Sequence, residues 1–277
     1  MTARELYAEI RATLAAAGMT AAVETNVLFE KAVGRRYTEL PFDYIIPEQA
    51  KSTAGTLVDR RVNGEPLQYI AGSWPFLDFE LEVGEGVLIP RPETENTAAT
   101  ALEMLEEMQN PRVIDLCSGT GCIAIAIKRA LPKSEVTAVE LFPDALEYLR
   151  ANVAALAPDV MVAEADVLGY ERQMDDAGAD IIISNPPYVT PGEYKDNVEE
   201  IGREPMSAFI GGEDGLDFYR YIIQNYKSKL KPGGVMLFET GFTQTDAVES
   251  LFIQNGYSEA KTHEDAYGLP RVVAARV

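Results

Sequence analysis

Ile181-Ile182-Ile183-Ser184-Asn185-Pro186-Pro187-Tyr188 joins a run of branched apolar residues to an amide, two prolines and an aromatic. Three consecutive isoleucines suit a strand buried on both faces, as in a parallel sheet. Proline has no backbone N–H, so the ladder must stop at Pro186 and Pro187. Proline also drives the residue before it toward extended geometry. Asn185 is therefore expected just past a strand's carboxyl end, where open α/β sheets bind ligands. The plain alternative is a loop whose prolines only end the strand.

The surrounding chain supplies the rest of such a sheet. Residues 113–116, 136–140, 160–163, 180–184, 235–239 and 271–277 read as strands, and residues 122–131, 144–156, 216–230 and 243–255 as helices. That alternation predicts an α/β, Rossmann-like sheet with helices on both faces. Residues 1–63 carry helical spacing and no strand signal: Leu6, Ile10 and Leu14, then Val23, Val27, Leu28 and Val33, then Ala54, Leu57 and Val58 behind Pro47. Between these regions, Phe79-Glu80-Leu81-Glu82-Val83 alternates like a half-buried strand. Val87-Leu88-Ile89 would return as its partner across Gly84-Glu85-Gly86. We expect a helical docking domain at residues 1–75, a β-hairpin linker at residues 76–95 and a catalytic domain at residues 96–277.

Composition narrows the function. No apolar run approaches the roughly 18–20 residues of a membrane span, and Met1-Thr2-Ala3-Arg4-Glu5-Leu6 lacks a signal-peptide layout. A cytoplasmic monomer is expected. Two cysteines and one histidine are too few for a disulfide framework or a Cys/His zinc site, so no metal is expected. Cys117 and Cys122 read as small packing residues. The net charge is −20, and residues 76–277 carry −19 of it, with 16 Lys and Arg against 35 Asp and Glu. That balance repels a phosphate backbone and attracts a basic protein surface, although solubility alone also accounts for it.

Asp115-Leu116-Cys117-Ser118-Gly119-Thr120-Gly121 joins a strand to a helix. Its glycines let a ligand approach the backbone, and the helix start offers free N–H groups. Glu140 ends the next strand, where a carboxylate can accept both hydroxyls of a ribose. Gly119 to Ala124 also fits the dinucleotide pattern G-x-G-x-x-A. Asp115 weighs against it, because a carboxylate there repels a pyrophosphate and welcomes the amine or sulfonium of S-adenosyl-L-methionine. Asp166 suits a hydrogen bond to an adenine amino group, with Val167 against the ring; a helix cap is the alternative for Asp166.

With that cofactor site, Asn185-Pro186-Pro187-Tyr188 resembles the signature of the amino-methyltransferases, whose substrates carry a planar NH2 conjugated to a π system. Such a nitrogen is a poor nucleophile. The Asn185 side-chain carbonyl and the Pro186 backbone carbonyl would accept its two N–H bonds, and Tyr188 would stack on the flat group. Alignment of two bound reactants can supply about 7–11 kcal/mol.

A closer resemblance runs through the whole chain. Gly64-Glu65-Pro66-Leu67-Gln68-Tyr69-Ile70, Leu88-Ile89-Pro90-Arg91-Pro92-Glu93-Thr94-Glu95, the two site motifs, Glu204-Pro205 and Gly211-Gly212-Glu213-Asp214-Gly215-Leu216 occur in order. This resembles the peptide chain release factor N5-glutamine methyltransferase family. The resemblance implies a class I methyltransferase fold, S-adenosyl-L-methionine, the glutamine of a release factor's Gly-Gly-Gln loop as substrate, and a docking role for the N-terminal helices. Departures are Cys117 where Gly is usual, Glu93 and Glu140 where Asp is common, Thr240 where an apolar residue is usual, and a loose match over Asp265-Ala266-Tyr267-Gly268-Leu269-Pro270-Arg271. Rival readings are glutamine methylation of a ribosomal protein, adenine N6 methylation of nucleic acid, a dinucleotide oxidoreductase, and a silent adenosine-binding module.

Overall fold

Thr2 and Glu5 open the first helix as a capping box: Glu5 N–H donates to Thr2 Oγ1 and Thr2 N–H to the Glu5 carboxylate. The structure, a computed structural model, describes residues 1–265 and 267–277; Ala266, in the C-terminal motif quoted above, lies outside them. The chain divides into two compact units, Met1–Trp74 and Pro75–Val277.

The first unit holds α1 (Ala3–Ala16), α2 (Ala21–Val33), α3 (Glu48–Val62) and α4 (Leu67–Ala71). Leu6, Ile10 and Leu14 bury one face of α1 against Leu28, Phe29, Leu57 and Val58. Helix α2 exists as expected, with Val27, Leu28 and Val33 at the core, but its buried face also takes in Glu24 and Thr25 and leaves Val23 out. Val23 is 59% exposed, whereas Glu24 and Thr25 are buried. The reason is electrostatic: Arg61 on α3 grips Glu24 through Nε at 2.6 Å and Nη2 at 3.3 Å. A paired, two-pronged carboxylate can be buried where a lone one cannot.

A short ribbon comes next. β1 (Ser73–Phe76) and β2 (Phe79–Glu82) form a two-stranded sheet. The alternation at residues 79–83 is therefore a true strand signal, but its partner precedes it. Pro75 hides that partner, since proline argues against a strand. The expected return strand at Val87-Leu88-Ile89 does not form; Ile89 N–H donates to the Glu204 carboxylate at 2.8 Å.

There follow α5 (Pro92–Leu105), β3 (Arg112–Leu116), α6 (Cys122–Ala130), β4 (Glu135–Glu140), α7 (Pro143–Leu156), β5 (Met161–Glu164) and β6 (Ala179–Ser184). After these come α8 (Pro191–Asp196), α9 (Val198–Ile201), α10 (Asp217–Asn225), β7 (Leu230–Glu239), α11 (Thr245–Gln254), β8 (Ser258–Glu264) and β9 (Pro270–Arg276). The sheet order is β5-β4-β3-β6-β7-β9-β8. Strands β3 to β7 run parallel, and β9 and β8 are antiparallel additions. Strand β8 gives no sequence signal because it is an edge strand, rich in charge and largely exposed. Helix α10 also ends earlier than its apolar spacing suggests, because Leu230 already belongs to β7.

Two facts of this sheet position the site. The chain leaves β3 toward β4 and β5, then returns to β6 on the other side of β3. The crevice at that reversal lies beyond the carboxyl ends of β3 and β6. Residues also alternate across the sheet. Ile114, Leu116, Ile182, Met236 and Phe238 pack with α10 and α11. Asp115 and Glu239 point to the other face, where they meet Ala124 on α6 and Thr97 on α5.

Candidate active site

A cavity of about 220 Å³ opens at this reversal. Cys117, Ser118, Gly119, Thr120, Glu140, Asp166, Val167, Asn185 and Pro187 all line it, so the structure gathers residues drawn from four strand ends. Among the described residues its wall contains no Lys, Arg or His.

The glycine turn is committed to carboxylates. Gly119 N–H donates to Glu140 Oε2 at 2.9 Å, while Leu141 and Phe142 N–H groups hold Oε1. Ala124 N–H, in the first turn of α6, donates to Asp115 Oδ2 at 3.2 Å. Two of the donors at this turn are thus already bonded to carboxylates, and a pyrophosphate would meet negative charge there. Asp115 itself does not line the cavity. It is buried under the turn, and its Oδ1 has no partner among the described residues. Burial pushes its carboxyl up to about 7, against the pull of Ser118 and Ala124, with the charge of Glu140 adding to the rise. Gly121 also lies beneath, with φ at +83°; a Cβ there would meet Leu149 at 2.5 Å. Cys117 takes φ at +60°, a left-handed conformation that disfavours a side chain by about 1–2 kcal/mol. Burial raises the pKa of both cysteines, which keeps them as thiols and fits a packing role.

Asp166 is not a helix cap, since the short 3₁₀ segment Tyr170–Gln173 begins after Gly169. Its Oδ1 accepts Leu168 N–H at 2.8 Å in a local turn. No partner is found for its other oxygen among the described residues. These features fit an adenosine ligand carrying positive charge: Glu140 for a ribose, Asp166 and Val167 for a base, acidic groups for a cationic centre.

Asn185 stands at the far end of the cavity and also lines a second, smaller one of about 50 Å³. Tyr188, Arg91, Phe209 and Glu239 share that second space. Asn185 Nδ2 donates to Thr94 Oγ1 at 3.3 Å. Its Oδ1 has no partner among the described residues. Pro186 is buried and lines neither cavity. Burial raises the Tyr188 hydroxyl pKa, so the ring stays neutral.

Residues of the flanking motifs, which carry no evident chemistry of their own, hold this stretch in place. Gly211 packs so tightly that a Cβ would sit 2.4 Å from Pro187 O, and one on Gly215 would sit 2.2 Å from Tyr188 O. Gln244 Nε2 donates to Tyr188 O at 2.9 Å. Glu204 accepts from both Ile89 N–H and Arg91, tying the segment after β2 to the loop after α9. Glu239, buried at the end of β7, accepts from Thr97 Oγ1 at 3.0 Å. Only their place in one ordered motif set marks Gly211, Gly215 and Glu204 in the sequence; nothing marks Gln244.

Burial pushes the Glu239 carboxyl up to about 7, against the hydroxyls of Thr94 and Thr97, which lower it. A carboxyl whose folded pKa lies above its unfolded value contributes stability below the unfolded pKa, and loses it as pH rises through the folded one. Between about pH 5 and pH 8 the parent should therefore lose about 3 kcal/mol more stability than Glu239→Gln does. Urea unfolding of both proteins at the two pH values checks this.

A family model described as the PrmC N-terminal domain matches residues 5–72, and one described as the methyltransferase small domain matches residues 92–203. The release factor glutamine methyltransferase of Geobacter sulfurreducens is 34% identical over 281 residues, covering 100% of this chain and 97% of that protein. Its counterpart in Thermodesulfovibrio yellowstonii is 37% identical over 241 residues, covering 86% of this chain and 84% of that one. A methyltransferase structure from Pyrococcus furiosus superposes with a TM-score of 0.54 at 17% identity, over 79% of this chain and 96% of that chain, which shows the fold alone. With relatives matched along almost their full length, the chain belongs to the release factor glutamine methyltransferase family.

Proposed function

We propose that this protein transfers a methyl group from S-adenosyl-L-methionine to the side-chain amide nitrogen of a glutamine in a protein, the glutamine of a release factor's Gly-Gly-Gln loop. The observation that carries the reading is Asn185: its NH2 is held by Thr94 and its carbonyl oxygen is left open where two cavities meet.

The cofactor, when bound, supplies an electrophilic methyl group on a positively charged sulfur. Glu140 would hold its ribose, Asp166 and Val167 its adenine, and a wall with no Lys, Arg or His among the described residues would admit its cationic end. Asn185 Oδ1 accepts an N–H bond of the substrate amide, whereas Pro186, which lines neither cavity, ends the strand rather than serving as the second acceptor expected from the sequence. That acceptor raises electron density on a nitrogen whose lone pair is otherwise delocalised, and it fixes its direction. Tyr188 holds the amide plane. With the cofactor bound, the nitrogen would gain the bond to the methyl carbon, sulfur would keep the electron pair of the bond it loses, and one amide proton would pass to water. Acceptors preset for the developing positive charge stabilise the transition state more than the ground state.

The acidic second unit suits a basic protein surface, and the first unit serves as a docking module for the protein substrate. Removing residues 1–63 should then weaken use of a release factor at least 10-fold more than it weakens cofactor affinity. An equal loss of both would mean that these helices act in folding alone. Calorimetric titration separates the cofactor alternatives: S-adenosyl-L-methionine binds, and NAD does not. Binding of NAD alone would overturn the proposal.

A further inference from the structure

Gly86, Val87 and Leu88 line the larger cavity together with the glycine turn and Glu140. Val87 is fully buried, and a carbon added to Gly119 would lie 4.0 Å from its Cγ2. Val87 therefore stands over the turn as a roof. Residues 83–91 belong to no strand or helix, so the height of that roof is set from outside the segment. Glu204 holds its far end through Ile89 N–H. The near end lies along α7.

We infer that Asn152, Tyr148 and Asp144 on α7 form a positioning stripe that seats Val87 over the glycine turn and so sets the affinity for the cofactor. The inference rests on the reading of the larger cavity as the S-adenosyl-L-methionine site. The three residues are spaced by four and share one face of the helix. Residues 82–86 pass them in the opposite direction: Asn152 meets Glu82, Tyr148 meets Gly84 and Asp144 meets Gly86. Asn152 is 1% exposed. Its Oδ1 accepts Glu82 N–H at 2.7 Å and its Nδ2 donates to Glu82 O at 3.0 Å, as a neighbouring strand would. Nδ2 spends its second proton on Thr120 O at 3.1 Å, and Thr120 lines the cavity. Only one orientation of the amide satisfies an N–H and two carbonyls. A single buried side chain thus fixes the gap between the roof segment and the glycine turn.

The two glycines let the segment lie against the helix. A Cβ on Gly84 would sit 2.2 Å from Tyr148 Oη, and one on Gly86 would sit 2.5 Å from Asp144 Cβ. Helix α7 starts at Pro143, directly after Leu141 and Phe142, whose N–H groups hold the Glu140 carboxylate. The ribose acceptor and the roof are therefore registered to one helix.

The test is calorimetric titration of S-adenosyl-L-methionine into the full-length parent, Asn152→Ala, Val87→Ala and the double variant, beside steady-state kinetics on a release factor. Alanine leaves room for water to reach the backbone groups that Asn152 releases. We expect Asn152→Ala and Val87→Ala each to weaken cofactor affinity about 10- to 30-fold, and the double variant to be at most about threefold weaker than the worse single one. A residue that acts through the seat of Val87 has little left to place once that side chain is gone, whereas a merely structural role would add its loss to that of Val87. For Asn152→Ala, kcat at saturating cofactor and KM for the release factor should stay within about threefold of the parent. A second pair reaches the same contact without touching Asn152. Gly84 has no left-handed backbone to strain, so Gly84→Ala acts through Tyr148 and should weaken cofactor affinity about fivefold. Gly84→Ala combined with Tyr148→Ala should return to within about twofold of Tyr148→Ala alone. Should Asn152→Ala fold poorly, this pair carries the comparison. The inference is overturned if Asn152→Ala binds the cofactor as tightly as the parent, if the losses in Asn152→Ala and Val87→Ala add in full, or if Gly84→Ala has no effect or is not relieved by Tyr148→Ala. A parent that does not bind S-adenosyl-L-methionine would overturn the cofactor reading beneath it as well.

Discussion

Asn185→Ala should lower turnover by roughly 100-fold or more, with cofactor affinity changed by only about a few-fold. The substitution removes an acceptor that is neither part of the glycine turn nor bonded to Glu140, Asp115 or Asp166. Asn185 itself lines that cavity, but the rest of the cofactor wall therefore survives. What is lost is the group that aims the amide nitrogen. It acts where positive charge develops on that nitrogen, at a residue that lines one cavity with buried Pro187 and the smaller one with half-buried Tyr188. Steady-state kinetics with a release factor, beside a cofactor titration, measures both quantities. Turnover near that of the parent would remove the orienting role.

Gly211→Ala produces the second large effect, at a residue that touches no ligand. Its added carbon would lie 2.4 Å from Pro187 O and 2.7 Å from Tyr188 Cα. Both neighbours are backbone, so no side-chain rotation relieves the clash. Val189 N–H donates to Phe209 O and Gly211 N–H to Val189 O, which leaves the two segments little freedom to part. The Asn-Pro-Pro-Tyr stretch must move. A displacement near 1 Å at a reacting group lowers the rate about 100-fold, and overpacking destabilises by about 1–3 kcal/mol. Gly192→Ala is the control: its carbon would meet nothing closer than 4.0 Å, and turnover should stay within about twofold. Equal turnover in the two variants would mean that the close packing at Gly211 has no bearing on the site.

Much of the site is legible in the sequence because it is built from strand ends. An apolar run closed by prolines announces a strand and its stopping point, and Asn185 follows from that alone. Asp115 and Glu140 are found in the same way, as the polar residues where apolar strands stop. Which carboxylate faces the ligand is not legible. Asp115 reads as a wall residue and lies beneath the turn, because its side chain caps α6. Glu239 also ends a strand, but its hydrogen-bond partner Thr97 lies more than 140 positions away in the chain and is not legible. Strand β8 is hidden by its exposure, and β1 by Pro75. On α2 only the exposure of Val23 and the burial of Glu24 go unforeseen, because hydrophobicity does not show the Arg61–Glu24 pair.

The central claim is that the reaction ends on a glutamine amide of a release factor. Incubation of the protein with methyl-labelled S-adenosyl-L-methionine and an equal mixture of a release factor, ribosomal proteins and DNA tests it in one measurement, read by peptide mass spectrometry and nucleoside analysis. Label is expected on the release factor alone, on the side-chain nitrogen of the glutamine in its Gly-Gly-Gln loop, and none when Asn185 is alanine. Label in a ribosomal protein or in adenine, or none in any of the three, would contradict it.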